Sequence, residues 1–177
     1  MSAYLLLLLA VLTRLLPIAG RVNFTAVTGA LLFFGARRPW REMIAPLAAL
    51  AGTDFILTIY VYKYPFQWQG YALTWAWYIA AMVLGRILLR GKPGFWRVAS
   101  GALLGPTSFW VVSNYAVWAG STMYPHNLAG FGACFAAAIP FYRNDLVSTA
   151  IVVGAAYGVP ALVRRMSQTH TLEPAAK

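Results

Sequence analysis

Long apolar runs, separated by short clusters of basic residues, set the pattern of this chain. Runs approaching the ~20 residues needed to cross a bilayer recur at residues 3–19, 23–36, 41–62, 71–89, 98–119 and 146–163, and each predicts an α-helix. The remaining chain is organised around residues 23–54. There a short apolar helix, the basic turn RRPWRE at residues 37–42 and a second apolar helix carrying Asp54 follow one another. Residues 23–36 are short for a full crossing and are expected to sit in protein surroundings, with Asn23 or Thr25 capping the start. Ala26, Gly29 and Ala30 form a small face suited to close contact with a partner helix. Residues 126–140 are apolar, rich in Gly and Ala, and bounded by Pro125 and Pro140. They are too short to cross comfortably and predict a re-entrant or interfacial helix. The expected fold is therefore an all-α integral membrane protein: a six-transmembrane-helix bundle with an additional short re-entrant or interfacial helix before the last span. Residues 1–165 form the single transmembrane domain, and residues 166–177 a polar, poorly ordered C-terminal tail. The Leu-rich start has no basic stretch before it and is taken as an uncleaved helix rather than a signal peptide.

Composition agrees with this pattern. The chain is 60% hydrophobic and 10% charged, against about 25% charged in soluble domains. Its formal charge of +10 raises the question of nucleic acid. The basic residues, however, sit mainly in short loops between apolar runs, where positive charge orients a membrane protein, so no nucleic-acid partner is expected. Cys134 is the only cysteine, which excludes an intrachain disulfide and a cysteine cluster for zinc. No Walker A loop, HExxH helix or Ser-His-Asp spacing is present, and Asp54 alone makes a poor acid/base set, so no enzyme, metal or cofactor is expected.

Loop charge predicts orientation. With the N-terminus in the cytoplasm, the RRPWRE turn, the turn holding Arg90, Lys92 and Arg97, and the pair Arg164 and Arg165 all fall inside. The outside receives Arg21, Lys63, the uncharged STMYP turn at residues 121–125, and Arg143. Both termini are then cytoplasmic. The polar groups within the spans collect in the outer half: Arg14, Asn23, Asp54 and Asn114, with Trp68, Trp75, Trp118, His126 and Asn127 nearby. Charges in lipid are costly and face protein or water, so Arg14 and Asp54 are expected to pair or share a polar network. This convergence predicts a pocket open to the outside, with aromatic walls, that binds a small and partly aromatic or heterocyclic solute. Residues 126–140 would cover it as a lid, with Gly130 and Gly132 letting it shift. The plainer alternative is a structural Arg14–Asp54 pair within ordinary interfacial aromatic belts. Asp145 is expected at the N-terminus of the last span, where a negative charge is favourable.

At NFTAVTGALLFFGA, APLAALAGTDFIL, SNYAVWAGSTMYP and NLAGFGACFAAAIPFYRNDL the chain resembles an uncharacterised family of bacterial integral membrane proteins. That family is similar to the substrate-binding S-components of energy-coupling factor (ECF) vitamin transporters. The resemblance spans residues 23–158. It implies a six-helix protein of the bacterial cytoplasmic membrane that binds a vitamin-like small molecule from outside and hands it to an energy-coupling transmembrane subunit driven by ATPases. S-components often carry an AxxxA contact motif in the first helix. Here that helix is mostly Leu, and the clear match is Ala26 with Ala30 in the second. The alternative function is a non-catalytic membrane scaffold subunit of a larger complex.

Overall fold

The computed structural model describes residues 2–15 and 24–172, and among these residues the fold is all helical, with no strand. Seven α-helices follow in order: α1 (Ser2–Leu15), α2 (Val27–Arg37), α3 (Ile44–Ile56), α4 (Trp68–Leu89), α5 (Phe95–Gly120), α6 (Leu128–Ala137) and α7 (Ile139–Leu172). A 3₁₀ turn, Trp40–Met43, leads into α3, and a π-helical segment, Leu57–Val61, extends it. Three helical stretches are long and apolar enough to cross a membrane: Trp40–Val61, Trp68–Leu89 and Ile139–Val163. They mark the chain as a helical membrane protein. Ser2–Leu15, Val27–Arg37 and Leu128–Ala137 are apolar but shorter.

The centre of the molecule is α2. Every residue from Val27 to Ala36 is buried, and apart from Thr28 all of them are apolar, which suits a helix enclosed on all sides. Its 11 residues rise about 17 Å, roughly half the ~30 Å hydrocarbon core. The sequence reading of a short helix in protein surroundings thus describes α2 well. Helix α4 packs most extensively against it, and α1, α5 and α7 close the remaining sides. The approach to α4 runs through glycine on both helices: Gly35 lies against the Met82 backbone and Gly85 against the Leu32 backbone. The small face of Ala26, Gly29 and Ala30 is enclosed by the same chain. Ala26 and Ala30 are buried, and Gly29 meets Val152 and the Thr149 carbonyl on α7.

Basic side chains gather at one end and tie the helix termini together. Arg37 donates to the Gly91 carbonyl at 3.4 Å, Arg86 to the Arg38 carbonyl at 3.1 Å, and Arg97 to the Ile87 carbonyl at 2.7 Å. These bonds satisfy carbonyls at or just beyond the C-termini of α2 and α4, where the helix dipole also favours cations. Arg38 pairs with Glu42 at 2.5 Å, and the Tyr4 hydroxyl donates to the same carboxylate at 2.6 Å. Tyr157 of α7 reaches the Leu89 carbonyl at 3.2 Å. The start of α1, the ends of α2 and α4, and the starts of α3 and α5 therefore share this end with the middle of α7.

Three boundaries differ from the sequence reading. Helix α7 begins at Ile139, because Pro140 falls in its first turn, where no intrahelical N–H is needed. Asp145 is consequently inside the helix rather than at its N-terminus. Second, α6 is separated from α7 by Ala138 alone and runs back along α5. Phe131 meets Trp118, Phe135 meets Trp110, and further on Tyr142 meets Trp110. It is thus the opening part of a broken helix packed on α5. Third, α7 continues to Leu172, past the point where a tail was expected, since no glycine or proline follows Pro160 in that stretch.

Candidate functional site

Arg14, on the last turn of α1, and Asp54, on α3, form an ion pair of 2.5 Å. Asp54 is fully buried and Arg14 largely so. The remaining lone pairs and donors are used locally. Trp75 Nε1 donates to Asp54 Oδ2 at 2.9 Å, and the Tyr78 hydroxyl donates to the same oxygen at 3.4 Å. Arg14 Nη1 donates to Thr53 Oγ1 at 2.8 Å and to the Tyr78 hydroxyl at 3.0 Å. The spacing of Trp75 and Tyr78 on α4 puts both on one face, and that face meets α3. Just beyond, the Thr58 hydroxyl donates to the Asp54 carbonyl at 2.6 Å and also bonds the Tyr71 hydroxyl. A side chain that takes an i−4 carbonyl competes with the backbone ladder, and here the helix widens to π geometry from Leu57. An aromatic stack of Phe66, Tyr71 and Trp75 covers this region from the loop side.

One cavity borders this network, and a second shares two wall residues with the first. The smaller, of about 210 Å³, is bounded by Arg14, Asp54, Thr28, Thr74, Trp77 and Asp145, among others. The larger, of about 340 Å³, lies between α5 and the α6–α7 pair, in the half of the bundle away from the basic end. Its walls include Phe109, Trp110, Asn114, Tyr124, Tyr142 and Asp145. Phe109 and Asp145 belong to both cavities. Asp145 is 4% exposed and accepts hydroxyl bonds from Thr28 at 2.9 and 3.1 Å and from Thr149 at 3.4 Å. Among the described residues the ion pairs are Arg14–Asp54 and Arg38–Glu42, so Asp145 holds no cation. Pro106 lies within α5 at the cavity wall, and Thr107 donates to the Leu103 carbonyl at 2.7 Å in the same turn.

The residues expected to form one pocket are divided. Arg14, Asp54 and Trp75 come together in the ion-pair network. Asn114 lines the larger cavity, its Nδ2 bonded to the Trp110 carbonyl at 2.7 Å. Trp118, His126 and Asn127 build the turn before α6 and border neither cavity. Trp118 Nε1 donates to the Pro125 carbonyl at 3.0 Å, the His126 ring bonds the Ser121 carbonyl at 3.2 Å, and Asn127 caps α6 by accepting from Gly130 at 2.8 Å. Trp68 is 59% exposed at the start of α4. Asn23 lies outside the described residues. Sequence reasoning missed Asp145, Phe109 and Tyr142. A buried carboxylate six residues into an apolar helix was the available signal, hidden by ending the preceding segment at Pro140.

Fold and site together define a helical membrane protein with a buried ion pair bordering a small cavity, and a second, aromatic-walled cavity that shares Phe109 and Asp145 with the first. The chain belongs to DUF6580, a family of unknown function, whose model matches residues 1–172. Neither a curated protein nor a solved structure matches it.

Proposed function

We propose that this protein is the substrate-binding membrane component of a small-molecule importer, taking up a vitamin-like solute in the larger cavity. The observation that carries this reading is the cavity of about 340 Å³ beneath α6, at the lower edge of the ~300–1,000 Å³ typical of small-molecule sites. Its wall is largely aromatic and aliphatic, with Asn114 and Asp145 as its orienting polar groups. In this reading the chain crosses the bacterial cytoplasmic membrane six times with both termini inside. The basic end faces the cytoplasm, as loop charge favours, and the cavity lies in the outer half. Helix α5, at 26 residues, extends about 39 Å, long enough to span despite its Ser, Thr and Asn content.

The likeness to S-components of ECF transporters motivates an energy-coupling transmembrane subunit with ATPases as partner. Ala26 and Ala30 are buried within the chain, so such a subunit would dock elsewhere than on that AxxxA pair. Asp54 acts here as a structural carboxylate, since Arg14, Trp75 and Tyr78 already occupy it. That satisfied network is also the observation favouring the second reading, a non-catalytic scaffold subunit.

The test is mass spectrometry of small molecules released on unfolding the purified protein, followed by titration of the released solute against wild type and Asn114→Ala. A co-purifying solute whose binding weakens in folded Asn114→Ala supports the importer component. No released solute, with the protein recovered in a larger membrane complex, supports the scaffold.

A further inference from the structure

We propose that the larger cavity receives a solute bearing a cationic amine, with Asp145 as its counter-charge and Phe109, Trp110 and Tyr142 as its aromatic surround. This rests on the cavity being a solute site, as proposed above. The carboxylates of Glu42 and Asp54 each hold an arginine, whereas among the described residues Asp145 is held by the hydroxyls of Thr28 and Thr149 and by no cation. A carboxylate removed from water without a cation is unfavourable, and an incoming ammonium relieves that cost. Arg14 borders the smaller cavity alongside Asp145, but its guanidinium is committed to Asp54, Thr53 and Tyr78. Arg143, two residues earlier on α7, is exposed.

The walls suit the same chemistry. Trp110 and Tyr142 stack with centroids 5.1 Å apart and planes 29° from parallel, and both border the cavity together with Phe109 and Phe141. Ring faces attract a cation within about 6 Å of the centroid, most strongly when water is excluded. A carboxylate on one side and aromatic rings around it are what an ammonium group requires. An anionic solute would meet Asp145 unfavourably, and a neutral one would leave it uncompensated.

The experiment uses the full-length protein in detergent micelles and three probes of similar shape: benzylamine, benzyl alcohol and benzoate. Binding is read by calorimetry and by tryptophan fluorescence. Benzylamine is expected to bind saturably and at least about tenfold more tightly than benzyl alcohol, with benzoate weaker still. Asp145→Asn, which keeps the side-chain shape, should reduce benzylamine affinity to the level of benzyl alcohol. If benzyl alcohol binds as tightly as benzylamine, the cationic inference falls while the solute site stands. Equal benzylamine affinity in Asp145→Asn also overturns it. If none of the probes binds, the inference fails; the solute released from the purified protein then decides the importer reading separately. Should Asp145→Asn not fold, the three-probe comparison on the wild type carries the test alone.

Discussion

Gly35 on α2 and Gly85 on α4 are reciprocal seats of one helix crossing. A Cβ at Gly35 would stand 1.9 Å from the Met82 carbonyl oxygen, and one at Gly85 would stand 2.0 Å from the Leu32 carbonyl oxygen. Each helix rests its backbone on the other's missing side chain. The obstacle is main chain on both sides, so no rotamer change can make room. Gly35→Ala and Gly85→Ala should each destabilise the folded protein by about 1–3 kcal/mol or more. Thermal unfolding in detergent reads the effect. Because either methyl forces the same two helices apart, the double variant should lose less than the sum of the two. Wild-type stability in either single variant would refute this close crossing.

Arg14 and Asp54 make a second coupled pair. Removing one partner leaves a buried charge without compensation, at a cost of about 3–5 kcal/mol. Arg14→Ala and Asp54→Ala should both lower the unfolding midpoint strongly, and the double variant less than additively. Strict additivity in the cycle would show that the 2.5 Å contact contributes no interaction energy.

Asn127 supplies a local and separable effect. Its side chain accepts from Gly130 at the start of α6, and replacing it with Ala should cost about 1 kcal/mol of helix stability. Hydrogen exchange should quicken at the first amides of α6 and remain unchanged in α2. Uniform acceleration across the protein would mean that α6 does not open by itself.

Orientation is tested by chemical labelling in intact cells. In a Cys134→Ala background, cysteines placed at Ser121 or Met123 should react with a membrane-impermeant thiol reagent. Cysteines at Trp40 or Arg41 should react only after the membrane is opened. The reverse pattern would turn the proposed topology over.

The helices and the ion pair were legible in the sequence for one reason: lipid and buried protein both punish unpaired polarity. Arg14 and Asp54 had to avoid lipid, and they met. The shortness of the run around Gly29 marked α2 as enclosed. What stayed hidden was which faces meet, because an apolar helix that is hydrophobic on all sides carries no periodicity to reveal its neighbours. Asn114 and Asp54 were therefore assigned to one pocket, whereas Phe109 and Asp145 stand at the boundary between two. Trp118, His126 and Asn127 looked like ligand groups, yet turn chemistry accounts for their contacts. Asp145 was displaced by a boundary error: Pro140 opens α7 rather than closing the segment before it.

The enclosure of α2 has a consequence for how the protein is made. This helix leaves the ribosome second, yet α4, α5 and α7, which wrap it, are synthesised afterwards. For that interval the future interior of the molecule has no protein around three of its sides. Apart from Thr28, its apolar circumference lets it wait in lipid, where a helix with a polar stripe would be poorly tolerated. Arrival of α4 brings Gly85 onto Leu32 and gives the waiting helix its closest neighbour. A nascent chain ending before α4 would hold α1, α2 and α3 loosely, and one ending after Leu89 would already contain the tightest crossing of the fold. The order of synthesis thus places the core helix before most of the walls that enclose it.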